Sequence, residues 1–188
     1  MILYLHGFNS SPQSHKAQLV ASYMAQRGLA SKYACPALPP LASQAIREIE
    51  SGLPKGAVCF LGSSLGGFYA TYLAEKHGAK AVLINPAINP HLGLRAYLGP
   101  QKNLHTGEPY ELTEAHLREW QALQVPRPTP SRYLLLVETG DEVLDYREAV
   151  QNYAGAEHVV VQGGDHSLQS FPDHLPRILE FASLRAGQ

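Results

Sequence analysis

The stretch AVCFLGSSLGG at residues 57–67 runs from an apolar, β-prone block into a turn of small residues. Residues 62–66 match the pattern G-x-S-x-G, and a helical stripe of apolar residues begins directly afterwards. The letters alone are a weak signal, but a strand that enters a helix through so tight a turn strains the central residue and requires small neighbours. We therefore predict that Ser64 projects from the carboxyl edge of a β-sheet at a helix N-terminus. A glycine-rich turn with no catalytic function would match the same pattern. The phosphate-binding motifs do not match, because the lysine of a P-loop and the dinucleotide fingerprint G-x-G-x-x-G are absent.

Short apolar, β-rich blocks alternate with helical stripes along most of the chain. The predicted strands are 2–5, 31–35, 57–61, 81–84, 132–137 and 157–161. The predicted helices open at Ser11-Pro12, after Ser64, after the cap Asp145 and after Pro172. This alternation predicts a single α/β domain over residues 1–188, with a mostly parallel sheet and helices on both faces.

Residues 86–125 break the alternation, because no clear strand appears among them. An unstructured loop of that length would be unusual in a compact domain. We therefore expect a helical insertion, with one helix near residues 112–123 that is capped by Thr113.

Composition narrows the class of protein further. The 188 residues carry a formal net charge of −1, with 15 basic against 16 acidic side chains and no long run of either sign, so nucleic acid and membrane surfaces are not expected partners. No apolar run is long enough for a transmembrane helix, and the first residues show no secretory leader, so a cytoplasmic protein is expected. Cys35 and Cys59 match no CxxC pattern and are expected to be free thiols. His91, His105 and His116 are too widely spaced for a ligand pattern, so neither a metal nor a cofactor is predicted.

A serine hydroxyl needs a base and an acid to become a nucleophile, and both follow predicted strands later in the chain. Asp141 comes shortly after the strand at 132–137, and His166 comes shortly after the strand at 157–161. Because the ends of parallel strands meet at one edge of the sheet, we predict that His166 accepts the Ser64 proton and that Asp141 orients His166. The alternatives are His6 for the base and, for the acid, Asp145 first, then Glu138, Glu142 and Asp165.

The loop after the first strand, HGFNSS at residues 6–11, is placed to stabilise a negative charge on a reacting carbonyl oxygen. Gly7 allows the backbone to approach closely. We predict an oxyanion hole formed by the backbone N–H groups of Phe8 and Leu65.

The motifs HGFNSS, GSSLGG, TGDEVLDY and GGDH together resemble the bacterial YqiA/YcfP-like esterases of the α/β-hydrolase superfamily, from Tyr4 to about Phe181. The resemblance implies a minimal α/β-hydrolase fold with about six strands in the order 2-1-3-4-5-6. It also implies a serine esterase that cleaves small acyl esters, thioesters included, through an acyl-enzyme on Ser64. A small-molecule acyl ester is then the expected partner.

In this reading, residues 86–125 form a lid over Ser64. Its apolar side chains would line an acyl pocket, and the predicted lining residues are Leu92, Tyr97, Leu117 and Trp120. Two alternatives remain open: a noncatalytic protein that binds acyl ligands on a hydrolase scaffold, and a peptidase or C–C hydrolase that uses the same triad.

Overall fold

The computed structural model describes residues 1–103 and 106–185, so His105 lies outside the described residues. The strands are β1 (Ile2–Leu5), β2 (Tyr33–Ala34), β3 (Cys59–Ser63), β4 (Lys80–Ile84), β5 (Gly99–Lys102), β6 (Pro109–Leu112), β7 (Tyr133–Glu138) and β8 (Glu157–Val161). Six of them form one sheet in the order β2-β1-β3-β4-β7-β8, with every neighbouring pair parallel. Strands β5 and β6 form a separate antiparallel hairpin. The predicted order 2-1-3-4-5-6 is confirmed for the central sheet.

Helices cover both faces of this sheet. They are α1 (His15–Gln26), α2 (Ala42–Ser51), α3 (Leu65–His77), α4 (Pro90–Gly93), α5 (Glu114–Ala122), α6 (Tyr146–Asn152) and α7 (Phe171–Phe181). Helices α1 and α7 pack on one face, and α2, α3, α5 and α6 contribute to the core on the other. None of the helices within the described ranges is long and apolar enough to cross a membrane.

Strand β7 shows why the sequence blocks are continuously apolar rather than alternating. Leu134 and Leu136 belong to the core under α1 and α7, whereas Leu135 and Val137 belong to the core on the opposite face. Successive side chains of a strand point to opposite faces, so a strand covered on both sides must be apolar at every position.

The N-terminal limit of α1 differs from its prediction. Ser11 and Pro12 precede the helix, which begins at His15. The Ser11 hydroxyl and carbonyl instead accept the Gln13 and Ser14 N–H groups, so Ser11 closes a separate turn before the helix starts.

The insertion at 86–125 contains α4, the hairpin and α5. Helix α5 confirms the predicted helix, and Thr113 and His116 form its capping box. The hairpin was not predicted. Trp120 and Leu117 turn inward from α5, and the Glu119 carboxylate accepts the Ser43 N–H group of α2, so α5 is anchored to the body of the domain.

Candidate active site

Ser64 lies at the junction of β3 and α3 and has φ 54° and ψ −120°. A non-glycine residue in this region of backbone space is strained, and such strain persists only where neighbouring structure enforces it. The flanking glycines provide that enforcement. A Cβ atom on Gly66 would lie 1.9 Å from the Leu5 carbonyl oxygen, and one on Gly62 would lie 2.2 Å from the Gly66 oxygen. The two glycines are therefore required for the backbone of β1, β3 and α3 to pack around Ser64.

The structure brings Ser64, His166 and Asp141 together at the carboxyl edge of the sheet. The Ser64 hydroxyl lies 3.1 Å from His166 Nε2, and His166 Nδ1 lies 2.8 Å from Asp141 Oδ2. A carboxylate can only accept, so Nδ1 carries the proton and Nε2 presents its lone pair to the serine hydroxyl. This tautomer is the one required of a general base toward Ser64.

The second oxygen of Asp141 fixes its orientation. Asp141 Oδ1 accepts the Val143 and Leu144 N–H groups at 2.9 and 2.8 Å, and the side chain is almost wholly buried. Burial raises the pKa of Asp141, but the hydrogen bonds from His166, Leu144 and Val143 outweigh it, so the pKa lies below its ordinary value. Asp141 therefore stays ionised at neutral pH.

None of the alternative acids contacts the imidazole in the described hydrogen bonds, and Glu142 accepts the backbone N–H group of His166 at 3.0 Å. Asp145 accepts the Arg147 N–H group as the cap of α6 and pairs with the Arg147 guanidinium. Asp165 accepts hydrogen bonds from Ser167 and Gln169 in its own loop. Each of these carboxylates stabilises local backbone rather than the imidazole.

His6, the alternative base, is buried beside the oxyanion loop. Its Nε2 accepts the Leu38 N–H group at 3.0 Å, and its Nδ1 donates to the Gly7 carbonyl at 3.1 Å. These contacts make His6 a structural support of the residue 6–11 loop.

Glu138 and Asn85 hold the loop that carries His166, and sequence reasoning missed this function for both. The buried Glu138 carboxylate accepts the N–H groups of Asp165, Gln169 and Ser170 at 2.8–3.0 Å and the Ser170 hydroxyl at 2.7 Å. The Asn85 amide donates to the carbonyls of Asp165 and His166 at 3.2 Å, and its oxygen accepts the Glu138 N–H group. The only sequence signal was their position as polar residues at strand ends.

These hydrogen bonds also decide the charge of Glu138. Burial raises the pKa of its carboxyl group, but the donors on Ser170, Asp165 and Gln169 outweigh burial, and the pKa lies below its ordinary value. The His166 loop is therefore built around a fixed negative charge.

The two predicted oxyanion donors flank Ser64. A Cβ atom on Gly7 would lie 3.4 Å from Ser64 Cβ, so the loop that contains the Phe8 N–H group runs directly against the serine. Leu65 is the first residue of α3, where backbone N–H groups have no partner within the helix. Among the described residues, neither amide donates a backbone hydrogen bond to another residue. Both groups are available to an anionic oxygen.

The hairpin of the insertion braces this loop from outside. The Tyr110 hydroxyl donates to Asn9 Oδ1 at 2.7 Å, and the Asn103 amide donates to the Ser10 carbonyl at 3.4 Å. Asn9 has a φ of 50°, so an otherwise unfavourable backbone conformation is held by the hairpin next to Phe8.

Two clefts open at Ser64. The smaller, of about 540 Å³, lies between the segment 87–97 and residues 143–148 and includes Leu92 and Tyr97. The larger, of about 780 Å³, lies between the start of α1 and the His166 loop.

The predicted lining by Leu117 and Trp120 is wrong. Trp120 has no exposed surface and Leu117 only 2%, and the Trp120 indole donates to the Tyr69 hydroxyl at 2.9 Å. Their three-residue spacing places both on the inward face of α5, where they anchor the insertion to the core.

A parallel sheet in this strand order, with a strained serine between a strand and the following helix, defines an α/β-hydrolase fold. Solved structures share this fold. Mouse alpha/beta hydrolase domain-containing protein 10 is 15% identical with a TM-score of 0.68, over 95% of this chain and 87% of that one. Est1E from Butyrivibrio proteoclasticus, with ferulic acid bound, is 16% identical with a TM-score of 0.67, over 96% and 85%. The monoacylglycerol lipase of Paleococcus ferrophilus is 14% identical with a TM-score of 0.67, over 97% and 93%.

The family follows from the sequence match. The model of the Uncharacterised protein family (UPF0227) matches residues 1–183, and the chain belongs to this family. A UPF0227 protein of Vibrio cholerae serotype O1 is 26% identical over 191 residues, which cover 96% of this chain and 98% of that protein. The family resemblance predicted from the four motifs is confirmed.

Proposed function

We propose that the protein is a serine esterase that hydrolyses small carboxylic esters, acyl thioesters included. The observation that carries the proposal is the continuous hydrogen-bond chain from Ser64 through His166 to the buried Asp141, at 3.1 and 2.8 Å. Solved structures that share the hydrolase fold include an esterase domain and a lipase, which supports the same class of enzyme.

The reaction begins when the Ser64 hydroxyl attacks the ester carbonyl carbon and its proton passes to His166 Nε2. The carbonyl oxygen becomes an anion and accepts the Phe8 and Leu65 N–H groups. The C–O bond to the alcohol then breaks, and His166 returns the proton to the departing oxygen. Asp141 stabilises the imidazolium between these two transfers.

The product of this first half is an acyl group esterified to Ser64. A water molecule then gives its proton to His166 and attacks the acyl carbon, through a second oxyanion in the same hole. Collapse of that intermediate releases the carboxylic acid, and the Ser64 oxygen recovers its proton from His166. Atoms and electrons balance in this hydrolysis without a cofactor or a redox partner.

The test is reaction with a fluorophosphonate probe and turnover of p-nitrophenyl butyrate by Ser64→Ala and Ser63→Ala. We expect the wild type and Ser63→Ala to be labelled and active, and Ser64→Ala to lose labelling and turnover while its circular dichroism spectrum is unchanged. Ser63 is the matched control because it is the neighbouring hydroxyl of the same turn and makes no contact with His166 in the described hydrogen bonds.

Other results separate the alternatives. Full turnover in folded Ser64→Ala would refute the proposal. Acyl-ligand binding without turnover of any ester in a broad panel would favour the noncatalytic binding protein. Cleavage of a peptide or a C–C bond in preference to esters would assign the same triad to a different bond.

A further inference from the structure

The histidine of the proposed reaction is held by two successive residues of the loop after β7. Asp141 Oδ2 lies 2.8 Å from Nδ1 of the His166 ring, and Glu142 Oε2 accepts the backbone N–H group of the same histidine at 3.0 Å. One carboxylate thus fixes the ring, and the other fixes the backbone to which the ring is attached. Together the two contacts set the direction in which Nε2 points, which is toward the Ser64 hydroxyl.

Lys16 holds the same loop from helix α1. Its Nζ atom donates to the Ser167 carbonyl at 2.7 Å, although the two residues are 151 positions apart in sequence. The start of α1 is itself fixed, because Ala17 and Leu168 belong to one hydrophobic core. The ammonium group therefore connects a packed helix to the residue that follows His166.

The backbone of the loop shows why such a contact is needed. Leu168 comes directly after Ser167, has a φ of 54° and is only 2% exposed. A leucine in this left-handed region is strained, and strain of this kind persists only where the surrounding structure enforces it. The core holds the Leu168 side chain, and Lys16 holds the carbonyl that precedes it. Without Lys16, the loop would relax at Leu168 and move His166 with it.

The charge of Lys16 is directed at the supports of this loop. Burial lowers the pKa of its ammonium group, and the carboxylates of Asp165, Glu138 and Asp141 oppose part of that effect. A partly buried ammonium loses hydration, which protein partners have to replace. The partners of Lys16 are the backbone of the His166 loop and the carboxylates that organise it.

We infer that Lys16 and Glu142 are positioning residues for His166. Glu142 holds the His166 N–H group and Lys16 holds the next carbonyl, so that Nε2 stays within reach of Ser64. Neither side chain touches the reacting atoms in this assignment. The inference rests on the proposed esterase function. It goes further by assigning the ammonium and the carboxylate that line the larger cleft to the protein's own backbone.

The experiment removes each contact and measures kcat and KM for p-nitrophenyl butyrate. We expect Lys16→Met to lower kcat about tenfold and Glu142→Leu to lower it about fivefold, the values of a buried charged and an exposed hydrogen bond. KM should change less than twofold, because neither side chain binds the substrate. The rate of labelling by the fluorophosphonate probe should fall by the same factors, since it depends on the same Ser64–His166 pair.

Conservative variants and matched controls accompany these changes. Glu142→Gln keeps an acceptor oxygen and Lys16→Arg keeps a cationic donor, so each should recover most of the lost kcat. His15→Met and Glu148→Leu are the controls. Their side chains line the two clefts at Ser64 but form no hydrogen bond with another described residue. Both controls should leave kcat within twofold of the wild type.

A proton resonance of His166 gives a readout that does not depend on turnover. In the wild type, the Nδ1 proton between His166 and Asp141 should resonate far downfield of the backbone amides. In Lys16→Met and Glu142→Leu this resonance should broaden or disappear, because a less constrained ring exchanges its proton with water, whereas in His15→Met it should persist. Glu142 is exposed, so its variants complete the test even where Lys16→Met fails to fold.

Two results would overturn the inference. One is an unchanged kcat and an intact resonance in folded Lys16→Met and Glu142→Leu. The other is a rise in KM at unchanged kcat, which would assign both side chains to substrate binding.

Failure of the proposed function gives a different result. In that case no ester is turned over in a Ser64-dependent way, while the resonance still reports whether Lys16 and Glu142 hold His166. Ser64-dependent turnover that is unaffected in both variants would refute only the positioning function.

Discussion

At the scale of single residues, Asp141 divides its two carboxylate oxygens between the imidazole and the backbone. One oxygen accepts from His166, and the other accepts from the Val143 and Leu144 N–H groups. The backbone thus decides which oxygen is left for the imidazole. A side chain of the same shape as Asp141 but with different hydrogen-bonding groups therefore cannot take over its function.

We expect Asp141→Asn to reduce kcat by about 10³- to 10⁴-fold with little change in fold. The asparagine oxygen will stay with the two backbone donors, so its NH₂ group will face His166 Nδ1. That contact requires the Nδ1 lone pair and places the proton on Nε2, where it cannot accept from Ser64. Steady-state kinetics with p-nitrophenyl butyrate measure the loss.

Asp145→Asn is the control for this prediction, since Asp145 is the next candidate acid along the chain. It should change kcat less than about threefold and leave stability nearly unchanged, because asparagine caps a helix as well as aspartate does. A larger kinetic loss in Asp145→Asn than in Asp141→Asn would reverse the assignment of the acid.

Glu138 leads to a pH-dependent prediction. Its folded-state pKa lies below the ordinary value of about 4.3, so its ionised form contributes stability above that pH. This contribution is lost as the pH falls through the folded-state pKa. Glu138→Gln should therefore cost about 3 kcal/mol of unfolding free energy at pH 7, and the difference from the wild type should shrink below about pH 4.

Urea unfolding of both proteins at several pH values between 7 and 3.5 measures this difference. Ser170→Ala removes one donor to Glu138 and keeps the carboxylate, so it should cost about 1 kcal/mol. A Glu138→Gln deficit that is constant over the whole pH range would show that the charge of Glu138 contributes nothing.

At the scale of secondary-structure elements, the β5–β6 hairpin connects the insertion to the oxyanion loop. Burial raises the pKa of Tyr110 to about 12, although its hydrogen bond to Asn9 lowers it, so the phenol is protonated and donates at neutral pH. The hairpin is thus a brace for the loop that contains the Phe8 N–H group.

Tyr110→Phe should lower kcat by about fivefold, the value of one lost hydrogen bond that positions the oxyanion loop, with KM changed less than twofold. Tyr23→Phe removes an equivalent hydroxyl from α1, which lines neither cleft at that position, and should leave both constants unchanged. A rise in KM alone for Tyr110→Phe would instead indicate that the hairpin acts on substrate binding.

The elements also show which features a sequence can reveal. Strands β3, β4 and β7 lie in the middle of the sheet, and their continuous apolar runs and the glycines around Ser64 were sufficient to predict a mostly parallel sheet and the serine turn. The order of the strands came from the family resemblance. Helix α2 was missed although Ala42, Ala45, Ile46 and Ile49 follow helical spacing, because the stripe is short and follows two prolines.

Sequence patterns did not reveal the hairpin or the hydrogen bonds that Glu138 accepts, and the reasons differ. Strands β5 and β6 are only four residues long, and both contain proline, which together with the glycine of β5 is uncommon in strands. Glu138 and its partner Ser170 are 32 residues apart, and only the folded chain places them in contact. Spacing rules report local periodicity, whereas these supports are long-range contacts.

At the scale of the whole molecule, one sheet separates two hydrophobic cores, and the insertion shares one of them. Leu117 and Trp120 of α5 belong to the same core as Tyr69 of α3 and Leu135 of β7. Helix α5 is therefore part of the domain body. The large apolar side chains of the insertion that are exposed among the described residues, Leu92, Tyr97 and Leu98, lie in the segment before the hairpin.

This packing predicts that the insertion has no independent unfolding step. Trp120 is the only tryptophan in the chain, so its fluorescence reports the α5 environment, while far-UV circular dichroism reports the whole domain. In urea, the two signals should give one coincident transition with the same midpoint and slope, as expected for a single cooperative domain. A fluorescence midpoint well below the circular dichroism midpoint would show that α5 detaches first and that residues 86–125 open as one lid. Coincident transitions would confine any opening over Ser64 to the segment near 87–98.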